Sequence, residues 1–111
     1  MSYRNACYRK IRNVRIRGVP EMAICLVFTP DNPEMYTLNP SAWLILQLCD
    51  GRSEERIAAA YHAVVEPLLT REEARDEVRA GIEELVGKRI VETVSAQQSK
   101  RTRINHKDHV S

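Results

Sequence analysis

Along the chain the rhythm of apolar and polar positions changes once, from the two-residue period of strands to the longer period of helices. From Arg12 to Arg17 charged or polar side chains alternate with Val14 and Ile16, as in a strand with one buried face. Gly18 to Glu21 reads as a turn, and Ala23 to Phe28 is a run of β-forming residues. Pro30-Asp31-Asn32-Pro33 is a dense reversal signal, after which Met35 to Leu38 supplies a short third strand.

At Pro40 the helical period takes over. Proline is tolerated at the first helical position and Asn39 is a favourable cap before it. Trp43, Leu44, Ile45, Leu46 and Leu48 make this helix apolar on most sides, so it is expected to be largely buried and to end at Asp50-Gly51. Ser53 can cap a second helix bearing Ile57, Ala60, Tyr61 and Val64, which Pro67 ends. Thr70 with Glu73 forms a capping box for a third, in which Ala74, Val78, Ile82 and Leu85 recur at the helical period. Ile90 and Val91 close the fold. The expected class is α+β: a three-stranded antiparallel sheet followed by three helices, an order like that of a winged helix-turn-helix.

The length of 111 residues suits one domain, expected over residues 1–94. Residues 95–111 hold Ser, Gln, Lys, Arg and Asn with almost nothing apolar, and are expected to form a basic disordered tail. No apolar run approaches the roughly 18 residues that a bilayer span needs. The apolar run near the N-terminus is interrupted by Pro20 and Glu21 and is too short for a secretory signal, so a cytoplasmic protein is expected. Cys7, Cys25 and Cys49 cannot all pair within one chain and include no C-x-x-C, which points to a reduced compartment. Cys25 and Cys49 lie in apolar segments, where thiols behave as small buried hydrophobes.

Charge adds little by its sum and more by its distribution. The net charge is +2, with Arg4, Arg9, Lys10, Arg12, Arg15 and Arg17 all preceding the first acidic residue, Glu21. Lys100, Arg101, Arg103 and Lys107 form a second basic group. Catalytic constellations are missing from the pattern. His62 has no matched nucleophile or orienting carboxylate in sequence, and His106 and His109 lack a third metal ligand of suitable type. No G-x-S-x-G elbow is present, and four glycines supply no phosphate-cradling loop. Glu54-Glu55, Glu72-Glu73 and Glu83-Glu84 fall on helices, where a solvated face explains them. The expectation is therefore no enzyme activity, no metal and no cofactor.

Two kinds of binding remain. A winged-helix DNA-binding protein is the alternative reading, but from Arg71 to Arg89 the third helix carries five positive and six negative charges, a poor match to a phosphate backbone. The leading reading is capture of an extended peptide along a strand edge, with side-chain pockets beside it. Glu34, Met35, Tyr36, Thr37 and Leu38 form the candidate edge. Arg75, Arg79, Ile82 and Val86 share one flank of the third helix and could wall the groove. The same periodicity also allows Ile82 and Val86 to be core, with the two arginines solvated.

The segment Leu38-Asn39-Pro40-Ser41-Ala42 and the apolar helix closing on Leu48-Cys49-Asp50-Gly51 resemble the coenzyme PQQ synthesis protein D family. Ile57-Ala58 with Tyr61, and the close from Leu85 to Glu92, resemble further motifs of that family, so the likeness runs from about Tyr8 to Val94. Two positions depart from it: Arg89 stands where a glycine is usual, and Gly81 where a bulky apolar residue is frequent. Glycine inside a helix costs about 1 kcal/mol relative to alanine, which suggests a close approach of another chain at Gly81. Asp31-Asn32-Pro33 lengthens the hairpin. The resemblance implies a RiPP recognition element, which binds the leader segment of a ribosomally made precursor peptide between the third strand and the third helix. It also implies a separate modifying enzyme as partner: a radical-SAM enzyme, a cyclodehydratase or a lasso-peptide protease. Main-chain pairing would come from Met35, Tyr36 and Thr37, attraction of acidic leader residues from Arg75 and Arg79, and a seat for an apolar anchor from Ile82 and Val86.

Overall fold

A computed structural model of the chain describes residues 6–95. In order, its elements are β1 (Ala6–Lys10), β2 (Arg15–Val19), β3 (Ile24–Thr29), β4 (Glu34–Leu38), α1 (Pro40–Leu48), β5 (Asp50–Ser53), α2 (Glu54–Val65), α3 (Arg71–Gly87) and β6 (Val91–Ser95). The strands form two small antiparallel sheets, one ordered β2-β3-β4 and the other β5-β1-β6. The class is α+β, with three helices.

The sheet expected from the sequence is β2-β3-β4, but the expectation of a single sheet followed only by helices is corrected by the second sheet. Its strands come from far-separated segments: β1 pairs Cys7 with Ser53 on one side and with Val94 on the other. Each strand is too short and too polar to declare itself by alternation, and only pairing at long range makes it a strand. Asp50-Gly51 thus ends α1 and also opens β5, with Gly51 at φ 104, a left-handed conformation that glycine adopts without strain. Gly18, expected in a turn, lies inside β2. The row Gly18–Cys25–Leu38 faces the core, and a Cβ at Gly18 would collide with the Trp43 indole of α1. The residue is small because the helix needs that space. Of the expected basic tail, Ser95 instead closes β6 by pairing with Ala6, and residues 96–111 lie outside the described residues.

Helix ends follow the residues that cap them. Ala42 N donates to Asn39 Oδ1 at 2.8 Å, and Arg56 N donates to Ser53 Oγ at 3.3 Å. At α3, Glu73 N donates to Thr70 Oγ1 while Thr70 N donates back to Glu73 Oε1, closing the capping box.

One apolar core joins the layers. Cys25, Val27 and Leu38 enter it from β3 and β4, Ile45 and Leu46 from α1, Ile57 and Tyr61 from α2, Val78, Ile82 and Leu85 from α3, and Val91 from β6. The buried Tyr61 hydroxyl donates to Glu77 Oε1 at 2.6 Å, tying α2 to α3. Gly81 of α3 lies against α1: a Cβ there would come within 2.7 Å of Ile45 Cδ1. The close neighbour at Gly81 is therefore a helix of the same chain. Among the described residues no helix is long and apolar enough to cross a membrane.

Candidate functional site

A strand edge and the two flanks of α3 hold the candidate residues. In the sheet order β2-β3-β4, β4 is hydrogen-bonded to β3 on one side, so its other side is a strand edge. Strand edges present main-chain N–H and C=O groups in a row. Along this edge Leu38 is buried in the core, Tyr36 is half-buried against it, and Glu34, Met35 and Thr37 are exposed. The turn before β4 is held by the Thr29 hydroxyl, which donates to the Asn32 carbonyl at 2.6 Å. Asn39 caps α1 immediately after the strand, so both ends of the edge are anchored.

The residues expected on α3 separate into two places. Arg79, Ile82 and Val86 line one cavity of about 560 Å³, together with Tyr8 of β1, Glu54 of α2, Thr93 of β6, and Glu83 and Gly87. Its floor is Ile82, which is buried, and Val86 is the exposed apolar side of its wall. Arg79 Nε donates to Glu54 Oε2 at 3.1 Å, and that carboxylate holds the guanidinium further toward its charged form. Arg75 lies elsewhere, in a polar cavity of about 400 Å³ shared with Arg71 and with Glu55 and His62 of α2. No β4 residue lines either cavity.

β4 meets α3 near the helix's C-terminal end. Lys88 Nζ lies 5.3 Å from the centroid of the Tyr36 ring and is held by Glu84 Oε2 at 2.6 Å. At 100° per residue Val86 and Lys88 leave the helix on opposite sides. The Arg79 flank therefore turns toward β1 and β6, and the Lys88 flank toward β4. Sequence reasoning placed the β4 edge and the Arg79 flank in one groove; in the structure the last turn of α3 stands between them. Tyr8 and Thr93 escaped the sequence reading because β1 and β6 did, whereas Glu54 was read only as part of a solvated helix face and instead pairs with Arg79. Lys88 escaped it because its partner, Tyr36, lies far away in the sequence.

Two of the thiols, those of Cys25 and Cys49, are not poised for chemistry. Cys25 and Cys49 are fully buried; burial raises the Cys25 thiol and pushes that of Cys49 up to about 12 despite the nearby Lys10. Among the described residues no group of three or more His, Cys, Asp or Glu side chains is arranged to hold a metal ion. His106 and His109 lie outside those residues.

An open strand edge and a half-apolar cavity at the two sides of one helix are the equipment of a peptide-binding module. Residues 25–91 match the family of coenzyme PQQ synthesis protein D (PqqD), more than half of the chain, and the chain belongs to that family. The family's role is that of a RiPP recognition element, an accessory peptide-binding protein of PQQ-type biosynthesis. No curated protein and no solved structure matches the chain.

Proposed function

We propose that the chain binds the leader segment of a ribosomally synthesised precursor peptide by strand addition to β4 and presents the rest of that peptide to a separate modifying enzyme. The observation that carries this reading is the free edge of β4, anchored at both ends, in a chain of a peptide-binding family. Main-chain groups of Met35, Tyr36 and Thr37 pair with the incoming strand, with Glu34 and Leu38 at its limits. A peptide paired there and running over the last turn of α3 passes Lys88 and reaches the cavity at Gly87, Val86 and Ile82. An apolar leader side chain seats on Ile82 and Val86, and an acidic one exchanges with Glu54 for Arg79. Arg75, on the α2 side, serves a longer leader only. The enzyme partner is of the radical-SAM, cyclodehydratase or lasso-protease kind.

Titration of isotopically labelled protein with the precursor peptide encoded beside its gene tests this. The expected result is amide shifts concentrated on residues 34–38 and 86–88, and a loss of about tenfold in affinity for Arg79→Glu. Shifts confined to other surfaces would remove the strand-addition reading. An unchanged affinity for Arg79→Glu would remove only its electrostatic part.

A further inference from the structure

Antiparallel sheets that cover a core with one face commonly turn polar side chains to water on the other. The β2-β3-β4 sheet departs from this. Directly opposed residues share a face, and successive rows alternate between faces. The rows Gly18–Cys25–Leu38 and Ile16–Val27–Tyr36 look toward the core and α1. The intervening rows point away: Arg15–Phe28–Met35, Arg17–Leu26–Thr37 and Val19–Ile24. Met35 is 62% exposed, and Ile24, Leu26 and Phe28 are only half-buried and stand outside the set of side chains packed on the core. Among the described residues the outer side of β3 is thus an apolar strip of half-buried side chains that stand apart from the core, whereas α1 packs on the opposite face of the same sheet. Arg15 and Arg17 line its β2 side, and no carboxylate occurs in these rows. Among the described residues neither arginine forms an ion pair.

We propose that this outer face docks a folded protein through an apolar patch bordered by carboxylates, and that this protein is the modifying enzyme that acts on the bound peptide. The identity of the partner rests on the reading above; the chemistry of the face does not. A peptide that pairs with β4 extends the sheet in its own plane, so it leaves the outer face free, and both partners can be held at once. Charge selects among occupants. A second copy would bring Arg15 and Arg17 of both chains to a shared face that holds no carboxylate to receive them. An acidic rim on another protein meets both arginines and gives an association that weakens with salt.

The test uses the full chain and the purified modifying enzyme encoded beside its gene, with binding followed by calorimetry in the presence and absence of the precursor peptide. Arg17→Glu reverses an exposed charge and is expected to leave the fold intact; Phe28→Ser removes the centre of the strip. Both are expected to weaken enzyme binding about tenfold or more while peptide affinity stays within about twofold and wild-type enzyme binding falls as salt rises. Wild-type affinity for the enzyme in both variants would overturn the proposal, as would a wild-type chain that does not bind the enzyme at all. Self-association abolished by Phe28→Ser would overturn it in favour of a dimer face. Binding to anionic vesicles, lost in Arg17→Glu and without enzyme binding, would overturn it in favour of a lipid surface. Absence of peptide binding with enzyme binding retained and sensitive to both variants would sink the leader-binding reading alone and support the docking face.

Discussion

Arg89 shows how one residue can record a backbone demand without meeting it comfortably. It follows α3 with φ 61, and the chain turns there so that Ile90 N can donate to the Leu85 carbonyl at 3.0 Å and Ile90 and Val91 can enter the core. A left-handed residue after a helix is normally glycine, because a Cβ crowds the following carbonyl. The family resemblance in the sequence led to an expectation of glycine at this position, and the φ value gives a physical reason for one. Arg89 is exposed and forms no ion pair among the described residues, so its side chain gives little in return. Arg89→Gly is expected to stabilise the protein by about 1 kcal/mol, the relief of left-handed strain less the larger chain entropy of glycine. Urea unfolding measures this directly, and an unchanged or lower midpoint would mean that the turn is not under strain.

At the scale of elements, the contact between α1 and α3 decides what Gly81 can become. The helix gives up about 1 kcal/mol of propensity there relative to alanine, and the reason is Ile45, whose Cδ1 would lie 2.7 Å from an added Cβ. That atom is the end of a flexible side chain, but Ile45 is only 2% exposed and has little room to retreat. Gly81→Ala is therefore expected to be near neutral, propensity offsetting the shift of Ile45, while Gly81→Leu overpacks the contact and costs about 1–3 kcal/mol. Thermal unfolding of the two variants separates these outcomes; equal stability would show that α3 can move off α1 freely. The same pair explains what the sequence could and could not reveal. The three helices and their caps were legible because Asn39, Ser53, Thr70 and the apolar periods are local signals. β3 and β4 were legible from their β-forming residues and the Pro30–Pro33 turn. β1, β5 and β6 were not, because each owes its strand conformation to partners about 40 or more residues away. The candidate edge could be named from the sequence for the same reason that β4 could. The grouping of Arg79 with β4 could not be checked there, because a helical wheel gives the flank but not what the flank faces.

For the molecule as a whole, the core is built around groups that must keep their protons. Cys25, Cys49 and Tyr61 lie in one apolar cluster fed by both β4's sheet and the helices. Burial raises the thiols of Cys25 and Cys49, the latter from 9.0 to about 12, and burial together with the bond to Glu77 raises the Tyr61 hydroxyl. Each is an acid whose folded value exceeds its unfolded one. The folded state then holds protons that the unfolded state has released, so stability is fully present below the unfolded value and falls as pH rises toward the folded one. For Cys49 the window opens near pH 9 and runs to about 12. Within it one retained proton costs about 1.4 kcal/mol of stability per pH unit, and Cys25 and Tyr61 deepen the decline. Between pH 8 and 10.5 Cys49 alone is expected to remove about 2 kcal/mol. Cys49→Ala lowers stability at pH 8 by emptying a little of the core, but its pH curve should be shallower than that of the native chain by that amount. Urea midpoints at pH 8, 9.5 and 10.5 for both chains measure the difference. Parallel curves would mean that the Cys49 thiol ionises in the folded protein, and so that water reaches the space between α1 and β1 where Lys10 Nζ donates to the Cys49 carbonyl at 3.4 Å.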